Sequence, residues 1–190
     1  NHNQIEEIYQ EWDICCDVWA NNTKVKNIYD LNNNLIEFLK QTWTKVDSIW
    51  KNQIKENNEY DVNNNNTVYT TQYWDNNSST WMNGTRYNYK FASNNNLIEL
   101  YRERWDFFKK KWTFVDKELF TFNLNNKKSE YLRQIGVNDS VWINDNKIIY
   151  EYDLINNETY QLRSEWNTEN LWSPTQKAKH SVCTTTPVGR

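Results

Sequence analysis

The feature that most constrains this chain is a unit of about 31 residues marked by tryptophan. One tryptophan column contains Trp12, Trp43, Trp74 and Trp105, and a second contains Trp19, Trp50, Trp81 and Trp112, all spaced by 31 residues. The following units carry Gly136 with Trp142, and Trp166 with Trp172. All eleven tryptophans fall in these columns, and asparagine tracts keep the same period. Because every copy of a repeat must fold alike, the period constrains the architecture before local patterns do.

We predict one repeat domain, residues 1–190, made of six units. Their bounds are 12–42, 43–73, 74–104, 105–135, 136–165, and 166–190 completed by 1–11. The two terminal pieces together approximate one unit. In a closed ring such a split unit pairs the first strand with the last and leaves no free edge. We therefore predict a six-bladed β-propeller or a similar ring, while an open array is the alternative.

Two copies of the repeat favour helices, and the other copies favour strands. The segments from Leu35 and from Leu97 have apolar residues at helical spacing. Other copies place turn formers between the paired tryptophans, and the later units are one residue shorter, which a hairpin loop absorbs more easily than a helix. We predict all-β units. Each would have a strand ending at the second tryptophan, a turn near the next Asn or Gly, a strand ending at Tyr-Asp, an asparagine turn and a third strand.

Composition narrows the function classes. The chain has 11 Trp, 12 Tyr and 7 Phe, so we expect an aromatic core, and its net charge of −3 with interspersed signs disfavours nucleic acid as a partner. No apolar run is long enough to span a membrane. We find no catalytic motif, metal-ligand cluster or cofactor motif. Cys15 and Cys16 are expected to be buried thiols or, for one of them, bridged to Cys183.

Two stretches resemble known lectin repeats. "VWINDNKIIYEYD", residues 141–153, is similar to the tectonin motif, and "IYDLNNNLIEFLKQTWTKVDSIW", residues 28–50, is similar in rhythm to fucose-binding lectin repeats. The resemblance implies a β-propeller, commonly six-bladed, that binds sugars.

Repeated polar positions supply candidate sugar ligands. An acidic column contains Glu6, Glu37, Glu99 and Glu130, and a basic column three residues later contains Lys40, Arg102, Arg133 and Arg163; of the acidic column, Glu37, Glu99 and Glu130 are the candidate ligands. An acid and a guanidinium could hold sugar hydroxyls while an indole stacks on the ring. The second-column tryptophans Trp50, Trp81, Trp112, Trp142 and Trp172 are the stacking candidates, and the first column is expected to pack structurally. The alternative is that the polar columns form cross-strand ion pairs with no ligand.

Two functions follow. The first is a multivalent lectin-like protein that binds glycans or glycoproteins, with avidity from repeated sites. The alternative is a structural or protein-binding scaffold, such as a coat, matrix or adhesion component, whose partner is another protein or a second copy. No enzyme is expected. The sequence leaves the localisation open, with an extracellular setting favoured.

Overall fold

The computed structural model describes residues 3–137 and 141–179, and every regular element among them is a strand. The strands are β1 Asn3–Asp13, β2 Val18–Tyr29, β3 Leu35–Thr44, β4 Ile49–Tyr60, β5 Asn66–Asp75, β6 Thr80–Phe91, β7 Leu97–Asp106, β8 Lys111–Phe122, β9 Lys128–Gly136, β10 Trp142–Tyr152, β11 Glu158–Trp166 and β12 Trp172–Lys179. The all-β prediction is confirmed, and the helical spacing of two segments did not determine their structure.

The strands form one antiparallel sheet whose spatial order is the chain order. The first strand pairs only with β2 and the last only with β11 among the described residues, so the predicted propeller or ring is wrong. Each unit supplies two strands, and its hairpin continues the hydrogen-bond ladder directly into the next hairpin. Propeller blades require that ladder to stop at every unit. Residues 180–190, part of the predicted split unit, lie outside the described residues.

Turns lie along two opposite edges of the sheet. At the asparagine edge, formed by residues 30–34, 61–65, 92–96, 123–127 and 153–157, one asparagine of each turn has a left-handed backbone: Asn33, Asn64, Asn95, Asn126 and Asn156. Asparagine tolerates this conformation better than most residues, so the predicted turn role of the asparagine tracts is confirmed. At the tryptophan edge the turns connect the two tryptophan columns.

A β-bulge stands where the sequence predicted a turn after the second tryptophan. The second strand of each hairpin has one extra residue there. Single residues are skipped at Asn22, Gln53, Val115, Asp145 and Thr175, and in the third hairpin Gly84 and Thr85 stand against Thr71. Since a bulge keeps the strand going, β2 and its equivalents run about twelve residues without turning. At Gly84 a Cβ atom would lie 2.5 Å from the Tyr73 ring, which explains the glycine.

The sheet is a single layer, and no apolar side chain of the described residues is fully buried. The expected aromatic core is therefore absent from this part of the chain. Alternate residues of each strand project to opposite faces. We call the face that carries both tryptophan columns the tryptophan face, and the face that carries Arg102 and Arg133 the arginine face. Most side chains on both faces are half-buried by their neighbours along the sheet.

Candidate binding surfaces

The acidic and basic columns lie on opposite faces. Glu37 and Lys40 are three residues apart on one strand, and strand residues an odd number apart project to opposite sides. Glu37 lies on the tryptophan face, where its carboxylate is 2.7 Å from the ammonium of Lys55. The same offset separates Glu99 from Arg102 and Glu130 from Arg133. The acidic and the basic residue of one strand therefore cannot bind the same sugar molecule.

Two members of the basic column, Arg102 and Arg133, instead form a chain of ion pairs on the arginine face. Arg102 donates from Nε and Nη2 to Asp116, at 3.0 and 2.8 Å. Arg133 donates to Asp116 at 3.1 Å and to Asp145 at 3.0 Å. The hydrogen bond to Asp116 raises the pKa of the Arg133 guanidinium. Arg163, the last member of the column, is exposed and has no place in this chain of contacts.

The tryptophans of the two columns pack against each other within hairpins. Five pairs have ring centroids 5.0 to 5.5 Å apart in edge-to-face geometry. Where Gly136 replaces the first tryptophan, Trp142 packs on Phe114 at 4.7 Å. A Cβ atom at Gly136 would lie 2.7 Å from the Phe114 carbonyl oxygen, so that backbone approach leaves no room for an indole. Edge-to-face pairs of this kind add about 0.5 to 1.5 kcal/mol beyond burial.

A second basic column, which the sequence analysis missed, lies on the tryptophan face. Its members are Lys24, Lys55, Arg86, Lys117, Lys147 and Lys177, which keep the same period. We call the five pairings between successive tryptophan hairpins, β2–β3, β4–β5, β6–β7, β8–β9 and β10–β11, unit junctions. At four of them the cation lies 4.6 to 5.3 Å from the centre of a second-column indole in the next hairpin: Trp50, Trp112, Trp142 and Trp172. At the remaining junction Lys55 pairs with Glu37 instead. Four of the five predicted stacking tryptophans therefore already have a cation on the ring, and the fifth is Trp81.

Beside the tryptophans runs a ladder of side-chain amides. Glutamine donates to asparagine across four hairpins, at 2.9 to 3.0 Å: Gln10 to Asn21, Gln41 to Asn52, Gln72 to Asn83 and Gln134 to Asn144. In the fourth hairpin, β7–β8, Glu103 and Phe114 take these positions. The Glu103 carboxylate is buried and accepts from Arg86 at 2.7 Å and from Asn88 at 2.8 Å.

The asparagine edge carries a row of exposed aliphatic side chains. Leu31, Val62, Leu124 and Leu154 occupy the same turn position and are 81 to 107% exposed. Asp30 Oδ1 accepts from the backbone N–H groups of Asn32 and Asn34, so it is the aspartate that closes the turn. Asparagine side-chain amides also form hydrogen bonds between neighbouring turns; Asn34 Nδ2, for example, donates to Asn64 Oδ1 at 2.9 Å. We call the four aliphatic residues the aliphatic row.

Burial alters the acidity of two tyrosines on the arginine face. Desolvation, followed by the nearby Glu56 carboxylate, raises the pKa of Tyr69 to about 12. Desolvation and then Glu118 do the same for Tyr131, whose pKa also reaches about 12. Both phenols therefore stay neutral well into the alkaline range.

The cysteines were placed wrongly by sequence reasoning. Cys15 and Cys16 are exposed free thiols at the tryptophan edge, because the residues between the paired tryptophans form a turn. Cys183 lies outside the described residues. Within residues 3–137 and 141–179 no group of three His, Cys, Asp or Glu side chains is arranged to hold a metal ion. None of the described elements is a helix with the length and hydropathy needed to cross a membrane.

Comparison with known proteins identifies the fold and no function. No protein-family model matches the chain, and no curated protein is significantly similar. A Bacteroides fragilis protein of unknown function has a similar structure, with a TM-score of 0.51 and 16% identity over 67% of this chain and 92% of that one. DUF3836 family proteins from Bacteroides vulgatus and Parabacteroides distasonis match with TM-scores of 0.38 and 0.36 and identities of 19% and 13%. These two matches cover 60% and 59% of this chain and 91% and 83% of their own, and TM-scores this low do not establish a shared fold.

Proposed function

We propose that this chain is a non-enzymatic, protein-binding repeat scaffold and that the aliphatic row is its contact surface. The observation that carries the proposal is the exposure of Leu31, Val62, Leu124 and Leu154 at one repeated position. Their turns are closed by Asp or Asn side chains and by a left-handed asparagine, and the aliphatic groups add nothing to that closure. Ser93 occupies the same position in the third unit, so a polar residue also fits this turn. Repeated exposed apolar groups are typical of interaction sites.

The spacing of the row favours a protein partner. Each unit adds two strands, so members in adjacent units are about 10 Å apart, and Val62 and Leu124, with Ser93 between them, are about 20 Å apart. Aspartates adjoin three of them, at Asp30, Asp61 and Asp153. The nearby negative charge disfavours an anionic lipid surface, whereas a protein can provide separate apolar pockets between polar groups.

Carbohydrate binding remains a prediction with less support from the geometry. A sugar-binding indole needs a free ring face, but cations of the preceding unit lie over Trp50, Trp112, Trp142 and Trp172. The polar columns that were expected to hold hydroxyl groups contribute to ion pairs within the sheet. These contacts fit the structural alternative for both columns.

The aliphatic row can be tested by replacing its members with the serine that the third unit already carries. The test variant combines Leu31→Ser, Val62→Ser, Leu124→Ser and Leu154→Ser. The control variant makes the same number of changes at exposed apolar positions of the tryptophan edge: Ile14→Ser, Val46→Ser, Phe108→Ser and Leu171→Ser. Crosslinking and affinity capture from the native source should recover a protein with the wild type and the control, and lose it with the test variant.

Two results would contradict the proposal. A partner that binds the test variant as well as it binds the wild type would exclude the aliphatic row as the contact surface. A glycan array that binds the wild type and the test variant equally, without any protein partner in the capture experiment, would favour the lectin function instead.

A further inference from the structure

We propose that the two edges of the sheet join head to tail, so that β12 of one copy pairs with β1 of a second copy of this chain. The proposal concerns strand edges and is independent of the aliphatic row. Among the described residues β1 has a neighbour on one side only, and so has β12. The unpaired N–H and C=O groups of an edge strand are a template for another strand.

The unit junctions supply the register for this contact. At the first junction Lys24 lies opposite Gln41, and the other junctions repeat this register. Applied to the two edges, it places Lys177 opposite Gln10 of the second copy. The ladder at every junction begins after the bulge, so Pro174, which precedes the bulge in β12, lies outside the segment that would pair. The missing N–H group of this proline is therefore no obstacle.

The cation and indole at the two ends are complementary. Lys177 ends the basic column of the tryptophan face, and Trp19 begins the second tryptophan column. Trp19 is 63% exposed, whereas the other members of its column are half-buried. Lys177 lies 5.3 Å from the ring centre of Tyr160 in its own hairpin, β11–β12. In the joined sheet Lys177 would lie over the ring of Trp19 in the next copy, as Lys24 lies over Trp50, because a cation is attracted to the face of an indole ring.

The charges of the edge strands select the head-to-tail arrangement. The first strand carries Glu6, Glu7, Glu11 and Asp13 and no basic residue, whereas β12 carries Lys177 and Lys179 and no acidic residue. Pairing β1 with β12 sets a basic edge against an acidic one, and on the tryptophan face Lys179, opposite Ile8, would lie diagonal to Glu6. Pairing two copies of the same edge instead brings like charges together. In a dimer formed through two different edges, one β1 edge and one β12 edge remain free. Further copies can therefore add, and the assembly grows into chains unless the rotation between copies closes it into a ring.

The test uses charge reversal at each edge and analytical ultracentrifugation over a range of concentrations. The wild type should show an average mass that rises with concentration, more so at low salt than at 1 M salt, where charges are screened within about 3 Å. Lys177→Glu with Lys179→Glu should raise the dissociation constant at least about tenfold, and so should Glu6→Lys, which reverses the acidic residue of β1 on the same face. Mixing these two variants restores opposite charges at every contact and should restore the assembly.

The matched control is Lys109→Glu with Lys110→Glu, which makes the same charge change in the turn between β7 and β8. This variant should associate like the wild type, and circular dichroism should show that all the variants are folded. A wild type that stays monomeric at every concentration would overturn the proposal. Association that survives the Lys177 and Lys179 reversal would also overturn it, because the contact would then lie elsewhere. The serine variant of the aliphatic row should still assemble, which separates this test from that of the proposed function.

Discussion

Changing Glu103 to glutamine tests how much the buried carboxylate stabilises the fourth hairpin, β7–β8. Glu103 is 6% exposed and accepts hydrogen bonds from Arg86 and Asn88, on the face where other units have glutamine. Glutamine keeps the size of the side chain and removes the charge that Arg86 faces. Hydrogen bonds to charged groups contribute about 1.5 to 3 kcal/mol, and the Arg86 side chain is 32% exposed, so water replaces part of the loss. We expect the free energy of unfolding to fall by about 2 kcal/mol.

For a chain of this size that loss lowers the melting temperature by about 4 to 8 °C. Thermal unfolding followed by tryptophan fluorescence and by circular dichroism measures it. The control is Glu99→Gln, the same change on the same strand and face, at a carboxylate that makes none of these contacts; it should cost less than about 0.5 kcal/mol. Equal melting temperatures for Glu103→Gln and the wild type, or equal losses in both variants, would refute the stabilising role of the buried ion pair.

Three further predictions concern charge. Asp116→Asn should lower the free energy of unfolding by about 1 to 2 kcal/mol, measured by urea unfolding, because one carboxylate serves two part-exposed arginines. Burial and then Glu56 raise the pKa of Tyr69 to about 12, so its stabilising contribution is complete below pH 10 and is lost as the pH rises through 12. Tyr69→Phe should remove part of that alkaline loss in a circular-dichroism titration. The hydrogen bond from Asn65 lowers the pKa of Asp61, whose contribution is complete above its ordinary pKa of 3.8 and is lost as the pH falls through the lowered value. Asp61→Asn should reduce the acid sensitivity of unfolding.

The sequence predicted the strands and the asparagine turns because both depend on local chemistry. Asparagine at Asn33 and its equivalents adopts a left-handed backbone wherever its neighbours allow. Whether the repeat closes into a ring does not depend on local chemistry. Whether Thr23 pairs with Thr42 across a unit junction, or hairpins pack face to face as blades, depends on the hydrogen-bond ladder between units. A period of about 31 residues is compatible with either outcome.

The binding columns were misjudged for a geometric reason. An offset of three residues, as between Glu37 and Lys40, puts two side chains on opposite faces of a strand, and the alternation of a strand would have excluded their joint site from the sequence alone. The column of Lys24 and its equivalents has the same period as the tryptophans and was detectable in the same way. Its position over Trp50 was not, because that contact depends on the register between β2 and β3 and on the bulge at Asn22.

A sheet without a buried apolar core must obtain its stability from contacts repeated at each unit junction. Such stability is approximately a sum over neighbouring units, as in other linear repeat proteins, so an end unit with one neighbour is less stable than a central unit with two. The two ends differ: Trp12 and Trp19 of the first hairpin are 47% and 63% exposed, while the later pairs, including Trp166 and Trp172 of the last described hairpin, are half-buried. A second copy docked at β1 would give the first hairpin the junction that it lacks. If the edges join, the wild type should therefore melt at a higher temperature as its concentration rises, and the variant with reversed charges at Lys177 and Lys179 should not.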